Sequence, residues 1–399
     1  MPTSRVAGCV ARYAVRLHAV AGPGHHVASP LGAWLLLALA SPASTGHERV
    51  LLTEILGCDV ESAAHTAAEL LASPHPVVAS AVAVWTQAGA QPGAIFERWR
   101  DELPAAVATG DLPSRAGLDA WAREHTFGLI DAFPIQDDRV YLVLASALAT
   151  KVSWTVPFEL APATSLGPDS AWAGQLTRVL RTPRRGHTQY VARTADAGDV
   201  IVHVVTATGG LAVVSVAAAP EVPARTVLAA AHRLSLEHVT GIRTSRRELT
   251  DLPLGEGPLW RVREITAPSD ICVAVLPAWS ATSDLSLADP ALGFAAARAA
   301  LLPDNGDPWQ AGQAAMARYS RTGFEAAAVT AFAATAAARI PARRREAELR
   351  FAHPYAAVAV STDRDQVSPW HGLPVFSAWV AQPEDATDDD GGAPVIRPL

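Results

Sequence analysis

What this sequence lacks narrows its function before anything present does. None of the motifs GxSxG, HExxH, GxGxxG or GxxxxGK followed by Ser or Thr occurs in its 399 residues. The strand-to-helix serine elbow, the helical zinc pair and the glycine-rich phosphate loops are therefore absent as local signatures. Cysteine is scarce. Cys9, Cys58 and Cys272 are odd in number and far apart, without CxxC or Cys/His spacing, so they read as buried thiols rather than as a disulfide framework or a zinc site. Basic charge is not in excess either, since the formal net charge is −7. That balance argues against a nucleic-acid partner, and the short run Arg343-Arg344-Arg345 reads as a solvated loop.

Long apolar runs are missing too. The longest, "LGAWLLLALASPA" from Leu31, breaks at Pro42 and is too short to span a bilayer, so it reads as a buried helix and no membrane partner is expected. Arginines interrupt the N-terminal stretch "MPTSRVAGCVARYAVRLHAV", which leaves no visible signal-peptide core and points to the cytoplasm. His25-His26 after Gly24 reads as a capping or solvated pair, and His353 before Pro354 as structural. No metal or cofactor is expected, and no internal repeat is present.

What is there is an apolar half and a change of pattern along the chain. Helical signals come first. Ser29-Pro30 can cap and start one helix, and Thr45 can start another that stops at Gly57. "SAVAVWTQ" (80–87) reads as a strand, and "GLDAWAREHTFGLIDAF" returns to helical spacing through Leu118, Trp121 and His125. "RVYLVLASALATKVSW" (139–154) suits a central strand buried on both faces. "DVIVHVVTA" and "GLAVVSVAA" flank Thr208-Gly209-Gly210 as a hairpin. "ICVAVLPAWSA" (271–281), "HPYAAVAVSTD" and "LPVFSAWVA" are further strands, and the acidic tail from Glu384 reads as disordered. Helices followed by many strands give an α+β class.

Five segments in order resemble the serpin family. "HHVASPLGAWLLLALASPASTGHERVLLTEILG" resembles its "N-V-(I/V)-x-S-P-x-S" segment and the helix pair that follows. "LDAWAREHTFGLI" resembles "I-N-x-W-V-x-x-x-T-x-G-x-I" through Trp121, Thr126, Gly128 and Ile130. "LVLASALATKVSWTVPFE" resembles "L-V-L-V-N-A-x-Y-F-K-G-x-W-x-x-P-F" through Lys151, Trp154, Pro157 and Phe158. "FAHPYAAVAV" and "PVFSAWVAQP" look like its two closing strands, and the likeness runs from about residue 10 to Pro383. It implies one domain over 1–383, with helices packed around three β-sheets, an exposed reactive loop at about 321–345, and a tail over 384–399.

"RTGFEAAAVT" resembles the family's loop hinge, carried here by Gly323, Phe324, Glu325, Ala326, Ala327, Ala328, Val329 and Thr330. The resemblance implies a metastable, non-enzymatic inhibitor. A serine endopeptidase cleaves the loop, remains attached as an acyl-enzyme, and is carried away when the near half of the loop enters the central sheet. With period two, Phe324, Ala326, Ala328, Thr330, Phe332 and Ala334 form the uncharged, inward face. Counting from Gly323 places the reactive bond at Ala337-Ala338, which suits an elastase-like or subtilisin-like target, with Arg339-Ile340 as the runner-up. The family reading also implies a monomer, with the extracellular space as the alternative compartment. The alternative function is a serpin-fold protein without inhibitory activity, acting as a binding or structural module.

Departures from the family pattern fall at the hinge and beneath the opening sheet. Phe324 stands where the family has Thr or Ser, Gly32 replaces a serine, Ser146 an asparagine and Gln313 a histidine. The sheet-opening region, Ser29, Gly32, Ser146, Trp154 and Gln313, is therefore expected to carry an altered or lost hydrogen-bond network, and Phe324 is either an obstacle or accommodated by a small neighbour.

Overall fold

A computed structural model of the chain describes residues 3–133, 140–172, 174–242, 245–302, 308–324, 342–363 and 368–388. The early helices are Thr3–Ala21, Pro30–Ala40, Gly46–Leu56 and Val60–Ala72. Pro30–Ala40 is apolar all round and buried at every position, as a helix without a polar face must be. Ser29 caps it by accepting from the Gly32 amide at 3.2 Å, with Pro30 in the first turn. Gly46–Leu56 ends at Gly57, whose left-handed φ of 76° suits a residue without a Cβ.

Three sheets make up the rest. The central sheet runs in the order Val107–Asp111, Val78–Thr86, Leu142–Thr150, Trp309–Tyr319, with Trp279–Ser286 beyond it. Strand Leu142–Thr150 is buried throughout, and its two faces divide as a central strand requires. Leu142, Leu144 and Leu148 enter the main core. Val143 and Ala145 join Trp85, Leu118, Ala122 and Phe133 beneath helix Arg115–His125. The second sheet is antiparallel: His26–Ala28, Pro374–Val380, Tyr355–Ser361, Leu211–Ala217, Gly198–Ala207, His187–Thr194 and Arg246–Arg247. Its hairpin turns at Gly209 and Gly210, both at positive φ.

The third sheet corrects the reading of the arginine cluster. Arg343-Arg344-Arg345 is not loop but the start of strand Ala342–Arg350, which lies between Trp260–Ala267 and Ile271–Leu276. The Arg345 side chain donates to the carbonyls of Leu249 and Leu252 at 3.0 and 2.6 Å, and Arg343 pairs with Glu264 at 3.6 Å. Residues 342–345, expected to belong to the loop, are therefore strand. "ICVAVLPAWSA" is likewise two strands in two sheets, Ile271–Leu276 and Trp279–Ser286, because Pro277 cannot donate to a ladder. The first residues of the acidic tail are held: the Glu384 amide donates to Ala278 O at 2.7 Å, and Asp385 accepts from the amides of Thr177 and Arg178.

His25 and His26 are not solvated. His25 Nδ1 accepts from the Ala381 amide at 3.1 Å, and its Nε2 lies 2.8 Å from Ser280 O. His26 Nδ1 lies 2.8 Å from Gly24 O, a pure acceptor, so the proton sits on Nδ1. His26 Nε2 then accepts from His18 Nδ1 at 2.7 Å, and His18 Nε2 accepts from the Ser377 hydroxyl at 2.6 Å. A second pair lies across the fold: His187 Nε2 donates to Val156 O at 2.7 Å, and its Nδ1 accepts from His203 at 3.0 Å. Burial holds all four rings below the ordinary 6.5, with His187 lowered to about 4.

Between pH 6.5 and 4 the folded state therefore binds fewer protons than the unfolded chain. Stability from these rings is complete above pH 6.5 and is lost as pH falls through that window. A shift of this size is worth on the order of 3 kcal/mol, less for the half-buried His187. Melting curves at pH 7 and 4.5 should show a clear drop at the lower pH that His187→Gln reduces; equal midpoints would refute it.

Candidate functional site

The segment expected to be a hinge begins where strand Trp309–Tyr319 ends. Ser320 closes a turn on Gly323, its amide donating to Gly323 O at 3.0 Å and its hydroxyl lying 3.3 Å from the Gly323 amide. The chain returns as a two-residue strand, Gly323–Phe324. Phe324 stands opposite Tyr319 on one side and Val152 on the other, and Gly323 stands opposite Ser153. The segment matched at Lys151, Trp154, Pro157 and Phe158 grips this turn through its backbone. Trp154 donates from its amide to Thr322 O at 2.8 Å and from Nε1 to Ser320 O at 3.0 Å. The Phe158 amide donates to Arg321 O at 3.0 Å.

Phe324 is no obstacle at this step. It is only 3% exposed, with ring centroids of Trp279, Trp154 and Phe376 at 6.2–6.4 Å. Val27, Val213, Ala357, Ala359 and Ala378 line the same space. Three alanines there leave room for a ring that a bulkier wall would exclude. The accommodating residues come from the second sheet, more than thirty positions away in sequence, where no local pattern announces them.

Below the hinge the two flanking strands meet directly. Leu142–Ser146 and Trp309–Gln313 pair in parallel, and the ladder reaches Ser146 opposite Gln313. Beyond that pair no ladder contact joins the two strands among the described residues. One register relates all three strands, because the offset that sets Gln313 against Ser146 also sets Tyr319 and Val152 on either side of Phe324.

Gln313 sits at the fork. Its Nε2 donates to Ser29 O and its Oε1 accepts from the Ser29 amide, both at 2.8 Å. The Ser29 hydroxyl continues to Val375 O at 2.8 Å. Gly32 makes room for the amide, since a methyl there would stand 3.3 Å from Gln313 Nε2 and 2.7 Å from Leu148 Cδ1. Gly32 and Gln313 thus fit each other in this network. Ser146 takes no part in it, buried with a hydroxyl that finds no hydrogen-bond partner among the described residues. Of the other hinge residues, Glu325, Ala326, Ala327, Ala328, Val329 and Thr330 lie outside the described residues, as do Ala337, Ala338, Arg339 and Ile340.

Replacing Gln313 by alanine leaves the Ser29 amide buried without a partner, while the Ser29 carbonyl keeps the Ala33 amide at 3.2 Å. The expected loss is roughly 1–3 kcal/mol, read as a lower melting temperature; an unchanged midpoint would mean that the clasp carries no stability.

No family model and no curated protein sequence matches this chain. Solved structures do. The thermophilic serpin tengpin in its native state shares 14% identity, covering 95% of this chain and 94% of its own, with a TM-score of 0.66. Human glycosylated kallistatin shares 16%, covering 97% of this chain and 100% of its own, also at 0.66. Thyroxine-binding globulin in complex with thyroxine shares 15%, covering 94% and 99%, at 0.63. Three sheets in this arrangement, a hinge strand at the head of the central one, and near-complete overlap with these structures lead to one conclusion: the chain has the serpin fold.

Proposed function

We propose that this protein is a suicide-substrate inhibitor of a serine endopeptidase and not itself an enzyme. The observation that carries the reading is the position of Gly323–Phe324, already paired on both sides at the head of a parallel strand pair that is closed only lower down. Continuing that register brings Ala328 opposite Leu148 and Ala315, and Thr330 opposite Ser146 and Gln313. Phe324, Val152 and Tyr319 belong to the main core, so the even-numbered residues of the loop would follow Phe324 inward. Thr330 would then give the unpartnered Ser146 hydroxyl a polar neighbour.

The chemistry is the protease's. Its serine attacks the Ala337 carbonyl, the bond to the Ala338 nitrogen breaks, and the new amine leaves with a proton while Ala337 stays esterified to the enzyme. Freed at that end, the loop enters the sheet. About a dozen new backbone hydrogen bonds at about 1 kcal/mol each give on the order of 10 kcal/mol, comparable to the stability of a whole domain. That release displaces the protease before it deacylates. The alanines around the bond favour an elastase-like or subtilisin-like protease, acting on a monomeric inhibitor that needs no cofactor. A second reading, a binding module without inhibition, is favoured by the similarity to thyroxine-binding globulin.

Incubation with elastase, subtilisin and trypsin separates the two. Inhibition yields a covalent complex that survives denaturing electrophoresis and a released fragment beginning at Ala338. Cleavage at Arg339-Ile340 by trypsin would shift the bond to the runner-up position. Clean cleavage with no complex in any reaction would sink the inhibitory reading and leave the binding module.

The register makes a finer prediction. Ala328→Glu is solvated in the exposed loop, so recognition at Ala337 persists, but in the inserted strand it becomes an unpaired buried charge costing several kcal/mol. The variant should be consumed as a substrate. Ala327→Glu would stand between the half-buried Met316 and the buried Ala149, on the face away from Phe324, and should inhibit better than Ala328→Glu. The moles of inhibitor consumed per mole of protease blocked measure this, and equal values for the two variants would contradict the alternation.

A further inference from the structure

The helical end of the molecule brings together two cysteines that lie far apart in sequence. Cys9 is in helix Thr3–Ala21, and Cys58 follows helix Gly46–Leu56, one residue beyond Gly57. Both are buried, at 0% and 5% exposure, and they meet at Gly57, whose carbonyl the Cys9 thiol reaches and which Cys58 directly follows. The Cys9 thiol donates to Gly57 O at 3.3 Å and accepts from Arg12 Nη2 at 3.4 Å, and the same Nη2 donates to Gly57 O at 3.3 Å. Gly57 allows this approach, because a Cβ there would stand 2.7 Å from Arg12 Nη2. The exposed Arg12 side chain thus lies against the pair, on its solvent side.

The two sulfurs are not equivalent. The hydrogen bond from Cys58, followed by the charges of Arg12 and Arg5, outweighs burial and lowers Cys9 to about 6. The same hydrogen bond, then burial and the nearby Asp59, raise Cys58. Asp59 is itself engaged in capping the Ser62 amide at 2.8 Å, and Glu54 on the neighbouring helix pairs with Arg16 at 3.1 Å. A thiolate beside a cationic group and next to a second thiol is the arrangement that reactive dithiols share. Cys272 is the contrast, raised to about 12 by burial alone.

We propose that Cys9 and Cys58 form a redox-active dithiol site, oxidised by low-molecular-weight disulfides to an intramolecular bond that ties the first helix to the start of helix Val60–Ala72. The Cys9 thiolate attacks one sulfur of the disulfide RSSR, forming Cys9–S–S–R and expelling RS⁻. Cys58 then gives up its proton and attacks Cys9 Sγ, closing the Cys9–Cys58 bond and expelling the second RS⁻. Two protein thiols and one RSSR thus become one protein disulfide and two RSH, a two-electron exchange. Closing the loop between residues 9 and 58 restricts the unfolded chain and should make the helical layer harder to unfold.

The test uses the full chain with oxidised glutathione as the oxidant. Peptide mapping should recover a Cys9–Cys58 linked pair while Cys272 stays free, and the melting temperature should rise reversibly on oxidation. Cys58→Ala should instead trap one glutathionyl group on Cys9; Cys58→Ser serves if the alanine variant does not fold. Alkylation of Cys9 by iodoacetamide should inflect below the ordinary thiol range, and Arg12→Gln should move the inflection upward. Three free thiols under excess oxidised glutathione would overturn the proposal. So would a stable Cys9 adduct in the parent protein with Cys58 left free.

Discussion

The rest of the central sheet hangs on the clasp between one side-chain amide and one backbone unit. Gln313 and Ser29 exchange two hydrogen bonds in the interior, and Ser29 passes a third to Val375. A central-sheet strand, the buried helix Pro30–Ala40 and a strand of the second sheet are therefore fixed to one another at a single point. That point is also where the two flanking strands part. Removing the amide would leave the buried Ser29 N–H unsatisfied, so the lower half of the sheet resists opening while the upper half holds only the two-residue strand Gly323–Phe324. The substitution of glycine at position 32 belongs to the same solution, because the amide and a side chain at 32 would compete for one volume.

How much of this the sequence discloses depends on the range of the interaction. Ser29-Pro30 announces a helix start because capping is local, and the all-buried strand Leu142–Thr150 announces itself by unbroken apolarity. The order of motifs discloses the fold. The seat of Phe324 is another matter, since it is built by Trp279, Phe376, Ala357, Ala359 and Ala378, which meet only in three dimensions. Nor does a sequence show that Gln313 will reach Ser29, 284 positions away. Arg343-Arg344-Arg345 misleads for a related reason. Charged side chains along one strand read as loop until the acidic partner Glu264 and the carbonyls of Leu249 and Leu252 are brought to them by the fold.

The ends of the loop are anchored unequally, and on the proposed mechanism that inequality has a consequence. At the near end, Gly323–Phe324 is a short strand already aligned with the sheet it would extend. At the far end, strand Ala342–Arg350 is held along its whole length by Trp260–Ala267, in parallel by Ile271–Leu276, and by ion pairs such as Arg263 with Glu346 and Arg261 with Glu348. An uncut loop could follow Phe324 deep into the central sheet only by drawing residue 342 towards the opposite end of the molecule. That would strip an interior strand from both its neighbours and expose buried backbone groups to no partner. Proteolysis removes the requirement, because the far strand then stays in place while the near segment moves alone. The barrier against spontaneous insertion lies in the third sheet and the driving force in the central one. A single peptide bond between them decides whether the driving force can act.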